Sequence, residues 1–170
     1  IGGVILYDET IKQIASSKKT IAELISLSGA VPGIKVDTGA KKLALSNDET
    51  ITEGLDGLRD RLKDYYDLGA KFTKWRGVFK ISINNNLPSI ESIKANAHAL
   101  GRYSALAQEA KMVPIVEPEV LMDGDHDAKT CYQVTKIILE ETFYQLSNNN
   151  VKLEGIILKP NMILPGSNSN

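Results

Sequence analysis

Cysteine is almost absent: the 170 residues hold one, Cys131. This excludes an internal disulfide framework and a cysteine-rich metal centre, and it fits a reducing, cytoplasmic setting. An excess of one charge is also missing. Twenty Lys+Arg stand against 21 Asp+Glu, a formal net charge of −1, so there is no general electrostatic reason to bind nucleic acid or an anionic membrane. No apolar run approaches the ~20 residues of a transmembrane helix. The opening Ile-Gly-Gly-Val-Ile-Leu has no basic leader, so it does not read as a signal peptide, and no initiating Met, so it reads as a chain met midway. Two phosphate-cradling motifs, G-x-G-x-x-G and G-x-x-x-x-G-K-[ST], are lacking as well. What is present is 42% hydrophobic residues, enough for a single folded domain over 1–170.

Those apolar residues fall into two alternating patterns. Short runs rich in β-branched or aromatic residues occur at 3–6, 32–36, 70–75, 112–116 and 155–159. Gly, Pro or charge bounds each of them, which predicts strands. Between them, apolar residues recur every three or four positions: Leu55, Leu58, Leu62 and Tyr65; then Ile90, Ile93, Ala97 and Leu100; then Cys131, Val134, Ile138, Thr142 and Leu146. These predict amphipathic helices, with a shorter one over 20–27. The asparagine tracts at 84–86 and 148–150 and the tail 167–170 read as loops. Repeated strand–helix–strand units imply parallel pairing through right-handed crossovers. An open doubly wound sheet and part of a (β/α)8 barrel both satisfy this.

Ionisable residues recur where these strands end. Lys35 and Asp37 close one, Lys74 and Arg76 the next, Glu117 and Glu119 the next, and Lys159 the last. Alternate residues of a strand share a face, so each i, i+2 pair can point the same way. In a barrel that direction is inward, at the carboxyl end where active sites lie. Each pair alone could be strand-terminal charge reaching solvent; together they predict one polar site. Its cations suit an anionic substrate, phosphate above all. A lysine partly desolvated among other cations has a lowered pKa and can attack a carbonyl as the free amine. The resulting imine withdraws electrons and permits carbon–carbon cleavage without a metal, while a nearby carboxylate shuttles protons. Lys159, in Leu158-Lys159-Pro160-Asn161 after an apolar run, is preferred over Lys35 and Lys74, which have charged companions two residues on.

Other tempting residues have plainer roles. Asp123-Gly124-Asp125-His126-Asp127 suggests a calcium loop, but Ala128 and Val134 stand where Gly and Glu are needed. It is expected to be a turn with Asp127 capping the next helix. His98 and Cys131 are expected to be structural, and Trp75 to face the helical layer. Arg59, Arg61 and Lys63 are expected to form a solvated face.

The chain resembles class I fructose-1,6-bisphosphate aldolases. The resemblance rests on Gly2-Gly3-Val4-Ile5-Leu6, Gly33-Ile34-Lys35-Val36-Asp37, Glu53-Gly54-Leu55-Asp56-Gly57-Leu58 and Lys74-Trp75-Arg76, and then on Val113-Pro114-Ile115-Val116-Glu117-Pro118-Glu119, Asp123-Gly124-Asp125-His126-Asp127 and Leu158-Lys159-Pro160-Asn161-Met162. It implies an α/β fold of the (β/α)8 TIM-barrel type, here about five consecutive parallel βα units, the second to the sixth. It implies a cytoplasmic, glycolytic, usually homotetrameric lyase that needs no cofactor or metal and takes a sugar phosphate. In that family's terms Lys159 resembles the Schiff-base lysine and Glu117 the proton-transfer carboxylate. Lys74 resembles the lysine that assists binding and the carbon–carbon step. Lys35 and Arg76 resemble cations near the distal phosphate, with Glu119 and Asp37 supporting them. Thr38 departs from the pattern, since many members carry a second lysine there. The family's first strand, with its aspartate base at the C4 hydroxyl, and its last two βα units and tail have no counterpart in the match. A non-catalytic fragment is therefore the alternative to an active aldolase. A transaldolase-like enzyme fits the run of motifs poorly.

Overall fold

The computed structural model describes residues 1–46 and 48–169. Five parallel strands form one sheet: β1 (Gly3–Leu6), β2 (Val31–Lys35), β5 (Phe72–Phe79), β6 (Val113–Val120) and β7 (Ile157–Leu158). Their spatial order, β1-β2-β5-β6-β7, is their sequence order. Each crossover therefore steps to the next position in the same direction. A doubly wound sheet reverses direction at a switch point; these strands never do, which is the barrel pattern.

Helices α1 (Asp8–Ile11), α2 (Ile21–Leu27), α3 (Leu58–Asp67), α4 (Ile90–Glu109) and α5 (Ala128–Asn148) fill the connections. The Thr20–Glu23 capping box starts α2, and Ser89 and Asp127 cap α4 and α5, which satisfies amide groups that would otherwise lack acceptors. Leu55 lies outside α3. Gly54 and Gly57 have positive φ, so the chain turns before the helix can begin. A Cβ on Gly54 would also stand 3.0 Å from the Thr38 nitrogen.

Burial alternates along β5. Thr73, Trp75, Gly77 and Phe79 face the helices, while Lys74 and Arg76 face the other way. Trp75 is fully buried and stacks on Tyr103 of α4, ring centroids 5.5 Å apart. The larger core cluster on the helix-facing side includes Ile34, Leu62, Leu100 and Val116. Phe79, Ile93, Val120, Cys131 and Ile138 form a second cluster near the carboxyl ends of the strands. On the opposite side, the Phe72 ring fills the space beside Gly33 so closely that any Cβ there would overlap it.

Three features differ from the sequence expectations. Strands β5 and β6 run to Phe79 and Val120, so Lys74, Arg76, Glu117 and Glu119 lie within strands rather than closing them. A hairpin, β3 (Gly39–Lys42) with antiparallel β4 (Thr50–Glu53), interrupts the βα repeat. Its exposed Gly-Ala-Lys-Lys strand has no apolar alternation to reveal it. Finally, Arg61 is not on a solvated face. It donates to the backbone oxygens of Val36 (2.9 Å) and Gly54, tying the end of β2 to the hairpin.

Among the described residues no helix is long and apolar enough to cross a membrane.

Candidate active site

Parallel register sets the site. Lys35 of β2 pairs with Lys74 of β5, and Arg76 of β5 with Glu117 of β6. The Lys159 amide donates to the Val116 carbonyl (2.9 Å), so it sits beside the residue preceding Glu117. Lys74, Arg76, Glu117 and Glu119 occupy the face opposite Trp75 and Pro118, because side chains alternate along a strand.

The centre is Glu117, with a side chain only 3% exposed. One oxygen, Oε1, accepts from Lys159 Nζ. The other, Oε2, lies 2.8 Å from Lys74 Nζ. That second contact is an ion contact off the hydrogen-bond axis, and Oε2 has no aligned donor among the described residues. Burial pushes the Glu117 carboxyl up, but the two ammonium groups outweigh it and hold the group below the usual carboxylate range.

Around this centre two more pairs form. Arg76 pairs with Glu119, which raises the guanidinium above its ordinary value. Lys35 pairs with Asp37, and Asp37 Oδ2 accepts from the Arg76 amide at 3.3 Å. The expected residues therefore converge on one sheet face. Lys159 is the more open lysine, 59% exposed against 20% for Lys74. Lys159 is only partly covered because it follows β7, an edge of the described sheet.

Several supporting groups carried no sequence signal. Thr52 Oγ1 of β4 donates to the Arg76 carbonyl (2.7 Å), and the Thr52 amide donates to Asn96 Oδ1 of α4 (3.1 Å). The unexpected hairpin thus braces β5 where it carries Arg76.

Outside the cluster, Asp127 accepts from the Thr130 amide (2.7 Å) as the expected cap. Cys131 is buried. His98 is exposed and bonds Gln145 of α5 (3.1 Å). Among the described residues no group of three or more His, Cys, Asp or Glu is placed to hold a metal ion.

A family model described as "Glycolytic: Fructose-bisphosphate aldolase class-I" matches residues 1–170. A probable fructose-bisphosphate aldolase class 1 from Xanthomonas campestris is 54% identical over 166 residues, covering 98% of this chain and 49% of the relative. The cytosolic fructose-bisphosphate aldolase 6 of Arabidopsis thaliana is 49% identical over 169 residues, covering 99% of the chain and 47% of its own length. The chain thus spans about half the length of the curated relatives it matches. Among solved structures, fructose-bisphosphate aldolase from Plasmodium falciparum, crystallised with TRAP and a small-molecule inhibitor, superposes with a TM-score of 0.96 at 41% identity, over 100% of this chain and 49% of that one. Whole-chain agreement in family, sequence and fold accords with the lysine–carboxylate cluster: this chain belongs to the class I fructose-bisphosphate aldolase family.

Proposed function

We propose that residues 1–170 are the second to sixth βα units of a cytoplasmic aldolase that cleaves fructose 1,6-bisphosphate through an imine on Lys159. The observation that carries this is the Glu117 carboxylate bracketed by Lys159 and Lys74. Transfer of one proton from Lys159 to Glu117 across their contact yields a neutral amine and a carboxylic acid together. The amine attacks the ketone C2. The acid then protonates the carbinolamine hydroxyl, which leaves as water and gives the iminium. The C3–C4 bond breaks with its electron pair drawn into the iminium as an enamine, while a base takes the C4 hydroxyl proton and the aldehyde departs. That base belongs to the part of the family outside the match.

The other residues serve binding. Lys74 keeps positive charge beside Glu117 and the reacting carbons. Arg76 and Lys35 offer cations to the distal phosphate, and their carboxylate partners Glu119 and Asp37 hold them extended until it arrives. No cofactor is required. The family resemblance supports a homotetramer. The alternative, a non-catalytic piece that binds sugar phosphate weakly or contacts other subunits, draws on the half-length coverage of the relatives.

The test is borohydride reduction with dihydroxyacetone phosphate. A covalent adduct is expected on the peptide carrying Lys159 and none in Lys159→Arg, with EDTA without effect on cleavage. Activity lost to chelation and restored by zinc overturns the reading. Residues 1–170 alone are expected to trap the imine with negligible cleavage, because the C4 base lies outside the match; sugar-phosphate binding without imine trapping supports the alternative.

A further inference from the structure

Strand β7 is two residues long, yet it must aim Lys159. Beyond it, the next position of β6 that faces β7 is Pro118, which has no N–H to donate to the Lys159 carbonyl. Strand β6 meanwhile continues to Val120. Its backbone groups point alternately to its two neighbours. Val113 and Leu121 donate toward the β5 side, and the Val116 carbonyl receives the Lys159 amide on the β7 side. Pro114 and Pro118 lie in the same alternate set as Val116, so their missing donors fall on the edge where β7 is short. Val120 belongs to that set too. Its amide points past the end of β7, where no strand residue can receive it.

Asn161 fills that place. Its Oδ1 accepts from the Val120 amide at 3.1 Å. Its Nδ2 donates to Thr135 Oγ1 of α5 at 3.1 Å and to the Met162 carbonyl at 3.1 Å, with the Cys131 sulfur at 3.9 Å. The backbone donor fixes which end of the amide is oxygen. The chain is therefore pinned to β6 on both sides of Lys159, at Val116 before it and at Val120 after it. Glu117, the partner of Lys159, lies on β6 between these two pins. Thr135 is buried, so the clamp rests on a fixed helix.

We infer that Asn161 is a positioning residue for imine formation: its side chain substitutes for a strand and, through Thr135, holds Lys159 in register with Glu117. This rests on the aldol reading above. Rates of such reactions depend on placement at the ångström scale, and a two-residue strand alone cannot supply it.

The experiment follows borohydride trapping of dihydroxyacetone phosphate on Lys159 over time in the intact protein. It compares wild type, Asn161→Ala, Thr135→Val, the double variant and Thr135→Ser. Asn161→Ala is expected to lower the trapping rate constant roughly tenfold or more. The final extent and the half-saturating ketone concentration are expected to stay the same. Thr135→Val shifts the rate in the same direction, and Thr135→Ser recovers most of it. The double variant is expected to be no slower than Asn161→Ala, because both changes break one clamp. A purely structural role lowers the final extent and the circular dichroism together and leaves the rate constant alone, which overturns the inference. Unchanged rates in all variants overturn it too. Failure of wild type to be trapped on Lys159 overturns the aldol reading itself.

Discussion

Two buried carboxylates differ in what surrounds them. Glu117 lies on β6 between two lysines. Glu49 lies beside the N-terminus of α4, where it accepts from the Ser89 amide (2.8 Å), the Ser89 hydroxyl (2.7 Å) and the Ser46 hydroxyl (2.8 Å). Burial pushes both up, and hydrogen bonds pull both below the ordinary carboxylate range. The difference is in the partners. Hydroxyl and amide donors near Glu49 do not titrate in the working range, so its charge is fixed and structural. Glu117 instead faces two ammonium groups, Lys159 donating to Oε1 and Lys74 in ion contact with Oε2. Burial among hydroxyl and amide donors makes Glu49 a cap; burial between two ammonium groups is what the proposed role of Glu117 rests on.

This contrast breaks most sharply at Glu117. Glu117→Gln keeps the shape and removes the proton acceptor, so imine formation on Lys159 is expected to slow roughly 10²–10⁴-fold, read by the rate of borohydride trapping. A loss in proportion to folded protein instead would place Glu117 in the structural class beside Glu49. Glu49→Ala is the converse. It removes the acceptor for three donors and is expected to cost about 2–3 kcal/mol of folding stability, measured by urea denaturation. The trapping rate constant per folded molecule stays as in wild type.

Acid titration sharpens the same comparison. The folded-state pKa of Glu49 is depressed, so the native protein binds fewer protons there than the unfolded chain. Its contribution is complete above the unfolded carboxylate value, about pH 4.3, and is lost as pH falls through the lower folded value. Glu49→Gln is expected to flatten the acid limb of the stability curve in that window; an unaltered limb contradicts the assignment. The smallest effect belongs to an exposed pair. Arg59 Nε stands 2.7 Å from Glu109 Oε1 on the surface, and Arg59→Ala is expected to leave the denaturation midpoint within error.

Residue spacing made much of Glu117 legible and almost none of Glu49. An alternating Glu117–Glu119 pair after an apolar run announces a strand face, and Lys74, Arg76 and Lys159 repeat the signal on neighbouring strands. Glu49 is one acid in a polar loop, and its main partner Ser89 is 40 residues away. Arg61 failed for a related reason: a mixed-sign helix looks solvated until the loops packed against it are known. The β3–β4 hairpin escaped because Gly39-Ala40-Lys41-Lys42 is largely exposed, and its order comes from contacts such as Thr52 to Asn96. Asn161 was visible as part of a motif, but its task follows only from the unequal lengths of β6 and β7.

The two prolines of β6 have a consequence for the nascent chain. Glu117 is made 42 residues before Lys159, so for that interval the side of β6 away from β5 is an open edge. Open edges recruit stray strands. Pro114 and Pro118 take away alternate amide donors along that edge, leaving Val116 and Val120 to offer pairing. A foreign strand finds few amides to bind, whereas β7 needs only the short stretch around Val116 and a single asparagine beyond it. Strand brevity and proline placement together limit what this edge offers to any strand but β7.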